Sequence, residues 1–480
     1  MSLHRVDARF LLPAAPRTAV VLGALDGWRD GLATAGIVPP AEGAAPDLVV
    51  ASADHVVDAL SLGGRMLIVE GGDAVRPLRR HGLSIRRYLP RPTVDRPQVV
   101  IPIDEPAAAR YATAHWTYAA STWKRVRNRL ADMAFATRMF PSVGNVTAVA
   151  THDATAPSVV RAGRHHGAEA HSWLLTPGPG DDLSRNVFHL FPEGARNPSW
   201  VLKFARVPGY ADPFDRDEAG LTLARDAGPP VTDHAPRLLA RFTVDGLNAS
   251  LETAATGERL TRLLARTSRA HGVRLIEGVA GWIVATGTVT RAEPADLAAE
   301  QARLRDEVVP HWADRGVEER LVTSLPEISA VLQHNDVGPW NIVTDETSFT
   351  VVDWESARRH GLPLWDLVYF LTEALAGVDR VVDADRDEYT VRLYRGALPS
   401  SATLFEWIRR GIQAAEIPPE AVGSIITLCW LHHGLSHKRR GEAMARVVRT
   451  GHQLVPAAER IASVWLRDPE LGPDWSRWRA

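Results

Sequence analysis

Residues 331–343 read VLQHNDVGPWNIV, and after a short polar turn residues 350–355 read TVVDWE. An apolar run leads into His334, Asp336 follows two residues later, Asn341 lies five beyond that, and Asp353 closes a β-branched run. This H-x-D-x4-N spacing followed by a second carboxylate is that of a kinase-type catalytic loop. VLQ and NIV flank a turn containing Gly338 and Pro339, and SFTVVDW is a further β segment. The strand, loop, strand layout predicts Asp336, Asn341 and Asp353 at one edge. A plain β-turn through Asn335, Asp336 and Gly338 would explain the loop alone, but it has no need of the later carboxylate.

Those residue types suit one chemistry. Transfer of a γ-phosphoryl group passes through a loose transition state and depends on positioning and charge neutralisation. One carboxylate must face the acceptor hydroxyl, while a neutral amide and a second carboxylate hold Mg²⁺ against the phosphates. Mg²⁺ takes hard oxygen ligands and keeps part of its water shell, so two protein ligands and a nucleotide suffice. Asp336 is the candidate base, and Asn341 and Asp353 are the candidate metal ligands.

A nucleotide site also needs a cation and a phosphate-cradling loop. The chain has three lysines, Lys124, Lys203 and Lys438, among 55 basic residues. Lys203 sits in the strand-like run SWVLKFAR, where a compact ammonium on a flexible stem suits the α- and β-phosphates better than a guanidinium fork. Upstream, WLLTPGPGDDLSRNVFHLF joins two apolar strand segments through a loop with Gly178, Gly180, Ser184 and Asn186. Glycines let backbone N–H groups approach phosphate oxygens. No Gly-Lys-Ser/Thr follows, so this is not a Walker A loop. Its two aspartates, Asp181 and Asp182, would repel phosphate if they pointed inward. Downstream, Asp212 and Pro213 open a predicted helix that ends at Gly228. Glu218 on this helix is the candidate partner orienting Lys203, and Asp217 is the competing choice.

Together GPGDDLSRNVFHLF, VLKFAR, DEAGL, LQHNDVGPWNIV, VVDWE and PLWDLVYF resemble the aminoglycoside phosphotransferase and choline kinase-like superfamily of small-molecule kinases, over roughly residues 155–480. The resemblance implies an α+β bilobal, protein-kinase-like domain with a β-rich nucleotide lobe and a helical acceptor lobe. It also implies Asp336 as base, Asn341 and Asp353 as Mg²⁺ ligands, Lys203 as phosphate contact with Glu218 beside it, His334 bracing the loop and Asp366 supporting the C-lobe. Trp354 and Glu355 follow the second carboxylate where protein kinases carry Phe-Gly, and no Ala-Pro-Glu element follows, which argues against a protein kinase.

Ahead of this region, RTAVVLGAL, PDLVVAS and RMLIVEGG read as strands separated by the helical segments GWRDGLATAGI and ADHVVDALSLGG. Apolar strands alternating with helices predict a small Rossmann-like α/β domain with a parallel sheet. It resembles the later half of a class I methyltransferase. The run Gly23-Ala24-Leu25-Asp26-Gly27 lacks the three-glycine turn that admits a cofactor, so a degenerate structural or docking domain without cofactor is expected.

The expected organisation is therefore an α/β domain at 1–103, a helical connector and linker at 104–155, a nucleotide lobe at 156–258 and a C-lobe at 259–480. Residues 104–140 carry helical signals, with Trp116, Trp123 and Phe135 as an apolar stripe and Lys124, Arg125, Arg127 and Arg129 as a basic patch. SVGNVTAVATHDATAPS is the linker candidate. In the C-lobe, His432, His433 and His437 fall on one predicted helix and read as core and hydrogen-bonding groups. Glu373 and Glu416 are candidates for attracting a cationic acceptor.

Composition sets the outer limits. With 480 residues, 45% of them hydrophobic, and a formal net charge of −2, the chain reads as an ordinary globular protein without a field steering it to nucleic acid or membrane. A single cysteine, Cys429, excludes intrachain disulfides. The N-terminus does not read as a secretory signal, and no apolar stretch is long enough to cross a bilayer, so a cytoplasmic protein is expected. The oligomeric state stays open. The reading is an ATP- or GTP-dependent, Mg²⁺-dependent kinase acting on a small-molecule hydroxyl. The alternative is a nucleotide-binding pseudokinase or regulatory module whose N-terminal domain contacts a partner.

Overall fold

The computed structural model describes residues 6–71, 75–91, 97–115, 133, 146–178, 184–447, 456–468 and 470–471. It divides into two compact units, residues 1–214 with 238–256, and residues 215–237 with 257–480. The expected divisions after 103 and 155 fall inside the first unit, because one sheet runs through both. The expected division after 258 lies close to the border of the two. The helix Asp212–Ala227, expected in the nucleotide lobe, belongs mostly to the second unit.

The first unit begins as the α/β pattern predicts. Strands Ala19–Leu22 (β1), Leu48–Ser52 (β2) and Met66–Glu70 (β3) pair in parallel, with the helices Asp26–Thr34 and Val56–Ser61 in the connections. The sheet then turns antiparallel through Ser84–Arg91 (β4), Val99–Pro102 (β5) and Thr147–Thr151 (β6), with β6 inserted between β3 and β4. It continues through Ser172–Pro177 (β7), Arg185–Phe191 (β8), Trp200–Ala205 (β9), Leu238–Val244 (β10) and Leu247–Thr253 (β11). The result is eleven strands in the order β1-β2-β3-β6-β4-β5-β7-β8-β9-β11-β10.

The linker expected at 142–158 is corrected by this arrangement, since its middle forms β6, a fully buried strand in the interior of the sheet. Its Thr, Val and Ala side chains serve both faces. Val149 packs in the core that holds Ile68 and Phe188, while Ala148 and Ala150 join Val49 and Leu67 on the opposite face. Such small and β-branched residues suit a pleated surface covered on both sides. Of the helical stretch expected at 104–140, Pro106–His115 is a helix with Ala108, Ala109 and Ala112 buried. The aromatic stripe and the basic patch lie outside the described residues.

The N-terminal segment completes this core. The short 3₁₀ helix Val6–Leu11 puts Phe10 against Phe204 at 5.0 Å and Phe188 at 5.9 Å. Beside it, Asp7 Oδ2 accepts from Arg206 Nη2 at 2.8 Å, and both side chains are buried. Arg206 also donates to Asn186 Oδ1 at 3.1 Å, and Asn186 in turn donates to Asp7 Oδ1 at 2.7 Å. Residues 7–10 are thereby locked to β8 and to the end of β9.

The second unit is mainly helical, with Arg269–Val289, Trp365–Val378, Ser401–Ala414, Pro419–Val447 and Ala457–Arg467 as its principal helices. Its strands are short. Glu258–Arg259 (β12), Val331–Gln333 (β13), Ile342–Thr344 (β14), Phe349–Val351 (β15) and Arg358–Gly361 (β16) form the sheets β12-β14-β15 and β13-β16. Trp365–Val378 is buried along nearly its whole length and forms the floor under β13 and the loop that follows it. Among the described residues, no helix is long and apolar enough to cross a membrane.

Replacing one member of a buried ion pair leaves the other charge uncompensated. Asp7→Ala is therefore expected to destabilise the first unit by about 3–5 kcal/mol, the range for breaking such pairs. Chemical denaturation followed by tryptophan fluorescence measures this, and an unchanged midpoint would show that Arg206 does not need its carboxylate.

Candidate active site

The loop after β13 is held from below by one carboxylate. Asp366, in the first turn of Trp365–Val378, accepts the backbone N–H of His334 at 2.7 Å and that of Asn335 at 2.8 Å. Burial pushes its carboxyl up to about 6, against the pull of those two N–H donors. Asp366 thereby fixes the path of the loop backbone that follows β13. Asn335 takes φ +65° there, a left-handed geometry that Asn tolerates better than most residues.

His334 links the two acidic residues of the motif. Its Nε2 donates to the Val352 carbonyl at 3.1 Å, and its Nδ1 accepts from the Asp336 N–H at 3.3 Å. Together the two bonds require the neutral ring, since a protonated Nδ1 could not accept. Burial pulls the imidazole down to about 4, while Asp353 and Asp217 act in the opposite direction. Trp354 covers the ring edge-on at 4.7 Å. The imidazole therefore ties residue 336 to residue 352, next to Asp353.

Asn341 closes the other side. Its Nδ2 donates to the Asp336 carbonyl at 3.0 Å and to Asp336 Oδ2 at 3.2 Å, while its backbone carbonyl accepts from Val352 N–H at 2.9 Å. Gly338 permits the turn between them, since a Cβ there would lie 2.2 Å from the Trp340 ring. Asp353 then takes φ +70°, which turns the chain sharply as it leaves β15. Asn341 is thus joined directly to Asp336, and Asp353 follows Val352, which is bonded to both Asn341 and His334.

The helix Asp212–Ala227 packs against this corner. A Cβ on Gly220 would fall 2.0 Å from the Trp354 carbonyl oxygen, so only glycine allows this approach. Asp217 is buried on that helix and Glu218 is exposed. In the first unit, Lys203 Nζ pairs with Glu252 Oε1 at 2.7 Å. The register of β9 on β11 sets Lys203 opposite Ser250, which puts Glu252 two residues along the same face. Within the first unit, a neighbouring strand thus supplies Lys203 with a carboxylate that the sequence reading, which named Glu218 or Asp217, did not include. Glu252 is the one ionisable residue in the strand LNASLET, which was the signal available in the sequence.

The loop between β7 and β8 is described at its ends. Gly178 N–H donates to Arg185 O at 3.2 Å, and a Cβ on Gly178 would lie 2.7 Å from that of Ser184. Ser184 Oγ accepts from Arg206 Nη1 at 2.6 Å, so the Asp7–Arg206 pair also anchors this hairpin. Gly180 lies outside the described residues.

Asp336 opens on a cavity of about 490 Å³ within the second unit, whose wall includes Arg216, Glu355, Arg358, His433, His437 and Arg440. Arg440 Nη2 stands 3.9 Å from Asp336 Oδ2. Burial raises the Asp336 carboxyl to about 7; Arg440 opposes that rise, and Asp353 adds to it. His433 stacks flat on Tyr369 at 3.7 Å, and His437 Nε2 meets the Tyr369 hydroxyl at 3.1 Å, which accounts for two of the three histidines as packing and hydrogen-bonding groups. His432 stacks on Trp365 at 5.1 Å. Glu373 pairs with Arg386 and Glu416 with Arg291, both at 2.9 Å, and neither lines the cavity. Sequence reasoning missed Arg440 and Arg358, whose place in the wall depends on helix and strand packing far along the chain.

Residues 175–402 match the family model APH, the phosphotransferase enzyme family, over just under half of the chain. Over these residues the chain is similar to the phosphotransferase enzyme family. Among solved structures, the chain is similar to an aminoglycoside-3'-phosphotransferase of type VIII, at 16% identity over 52% of this chain and 97% of that one, with a TM-score of 0.30. It is similar to the aminoglycoside phosphotransferase APH(3'')-Id of Streptomyces rimosus in complex with ADP and streptomycin, at 15% identity over 55% and 94%, with a TM-score of 0.29. It is also similar to the bifunctional kinase-methyltransferase WbdD, at 14% identity over 87% and 88%, with a TM-score of 0.25. No curated protein matches the chain in sequence. The family match ends at residue 402, before the helix Pro419–Val447 that contributes His433, His437 and Arg440 to the cavity wall.

Asp366→Ala would leave the His334 and Asn335 N–H groups buried without an acceptor, at about 1–3 kcal/mol each. Hydrogen exchange at these two amides is expected to speed up by roughly tenfold or more, with amides in Ser401–Ala414 unchanged. Unchanged exchange at residues 334 and 335 would mean the loop is held by something else.

Proposed function

We propose that this phosphotransferase moves the γ-phosphate of ATP or GTP to a hydroxyl group of a small molecule. The observation that carries the reading is the convergence of Asp336, Asn341 and Asp353 on one loop corner, organised by His334 and Asp366, at the wall of a cavity large enough for a sugar-sized acceptor. In this reading Asp336 accepts the proton of the attacking hydroxyl. A carboxyl raised toward neutrality by burial is suited to that task, because general bases work best near the working pH.

Asn341 and Asp353 are the residues that would hold Mg²⁺. Their donor set fits: with Asn341 Nδ2 turned to Asp336, its carbonyl oxygen is the atom available as a ligand, and Asp353 offers a second hard oxygen. The ion would supply charge neutralisation at the phosphates. Lys203, fixed by Glu252, serves the α- and β-phosphates as a point charge, and the hairpin at Gly178, Gly180 and Ser184 covers them. A nucleotide-dependent enzyme of this kind belongs in the cytoplasm.

Asp336→Asn keeps the size of the side chain and removes its basicity. Loss of general-base catalysis is worth about a hundred- to ten-thousand-fold in turnover, with nucleotide affinity retained. Mass spectrometry of a hydroxyl-compound library incubated with ATP and Mg²⁺ identifies an acceptor by its added phosphate, and the variant is then assayed on it. Full activity of Asp336→Asn would remove the proposed base.

A further inference from the structure

The cavity beside Asp336 has an unusual charge for a site meant to receive an amine. Arg216, Arg358 and Arg440 stand in its wall against two carboxylates, Asp336 and Glu355. One of those carboxylates is the proposed base itself. We propose that the acceptor is an anionic hydroxyl compound, carrying a phosphate or carboxylate group that these guanidinium groups receive; the inference rests on the phosphotransferase reading above.

Three observations support this assignment. Arg358 does not have a carboxylate to itself: Glu300, almost fully buried, accepts from Arg358 Nη1 at 2.8 Å through both oxygens and from Arg303 Nη2 at 2.6 Å. Glu300 is thus shared between two guanidinium groups, of which Arg358 stands in the cavity wall. Arg440 sits 3.9 Å from Asp336 Oδ2, beyond hydrogen-bonding distance, with 55% of its side chain exposed. Its donors are therefore not spent on the base. Finally, Glu373 and Glu416, the acidic residues expected to draw a cationic acceptor, are paired with Arg386 and Arg291 away from the cavity.

Arginine forks match the two oxygens of a carboxylate or phosphate, and a cationic group brought among three of them would be repelled. The anion they receive has two conceivable sources, the acceptor's own substituent or the terminal phosphate of the nucleotide. The proposal assigns them to the acceptor.

The test is calorimetric titration of the full-length protein with one ring in four forms: glucose, glucosamine, glucuronate and glucose 6-phosphate, each with and without saturating Mg–ADP. Glucuronate or glucose 6-phosphate is expected to bind about tenfold or more tightly than glucose and glucosamine, whether or not ADP is present. Arg440→Gln and Arg216→Gln, both at exposed positions, are each expected to erase most of that preference. Equal binding of all four forms, preference for glucosamine, displacement of the anions by Mg–ADP, or an undiminished preference in both variants would overturn the proposal. Absence of phosphate transfer to every acceptor would instead sink the phosphotransferase reading alone, because the charge preference is measured without turnover.

Discussion

A neutral imidazole buried under Trp354 is the constraint on which the second unit's chemistry depends. His334 must accept at Nδ1 and donate at Nε2 to join Asp336 to Val352, and only the uncharged ring does both. Burial secures that state by making the imidazolium expensive, outweighing the nearby Asp353 and Asp217 charges that favour it. A protonated ring would turn Nδ1 into a donor facing the Asp336 N–H. The loop would then lose the bond that sets the distance between its two carboxylates. The Asp366 carboxylate supports the same geometry from the helix below, with two backbone N–H donors that have no other role in secondary structure.

The first unit is organised by a different economy, in which one sheet serves two kinds of segment. Parallel β1–β3 and the antiparallel strands β7–β11 share a single apolar core that includes Phe10, Trp28, Val149, Phe188 and Leu251. Continuity of the sheet places no free edge at β7, where an independently folded nucleotide lobe would have one. Arg206 makes the same link with charge, since the Asp7 that neutralises it lies 199 residues away in sequence. The hairpin at Gly178 and Ser184 is thereby fixed by a residue near the start of the chain. That arrangement explains why the N-terminal segment is part of the core instead of a separate module.

Local chemistry was legible in the sequence, and long-range partnership was not. Strand–loop–strand spacing suggested that Asp336, Asn341 and Asp353 lie near one another because all three are set by one short stretch and its hairpin. The alternation of strands and helices before residue 71 likewise announced the parallel strands. The stretch 142–158 misled because small residues, polar residues and Pro157 flank a strand of only five residues, so its composition reads as a tether. Lys203 was matched to a helical carboxylate by analogy, and its strand partner Glu252 follows from register, which the sequence does not state. Arg358, with its Glu300 partner 58 residues upstream, and Arg440 meet Asp336 only after helices and strands far apart in the chain have packed.

The two polar neighbours of the Asp336 carboxylate both address the same oxygen. Asn341 Nδ2 lies 3.2 Å from Oδ2 and Arg440 Nη2 lies 3.9 Å from it, so neither contact engages Oδ1. A base held by both oxygens would be well positioned but poorly basic, because each hydrogen bond to a carboxylate stabilises its charged form. A base held by neither would rotate. Tethering one oxygen sets the carboxyl plane while leaving the other to take a proton, and burial raises the affinity of that oxygen for it. Arg440 completes the balance from the cavity side: at its distance it offsets part of the burial without fixing the carboxylate in its ionised state. In the proposed reaction the same guanidinium would have two consequences, moderating the base and setting the charge of what approaches it.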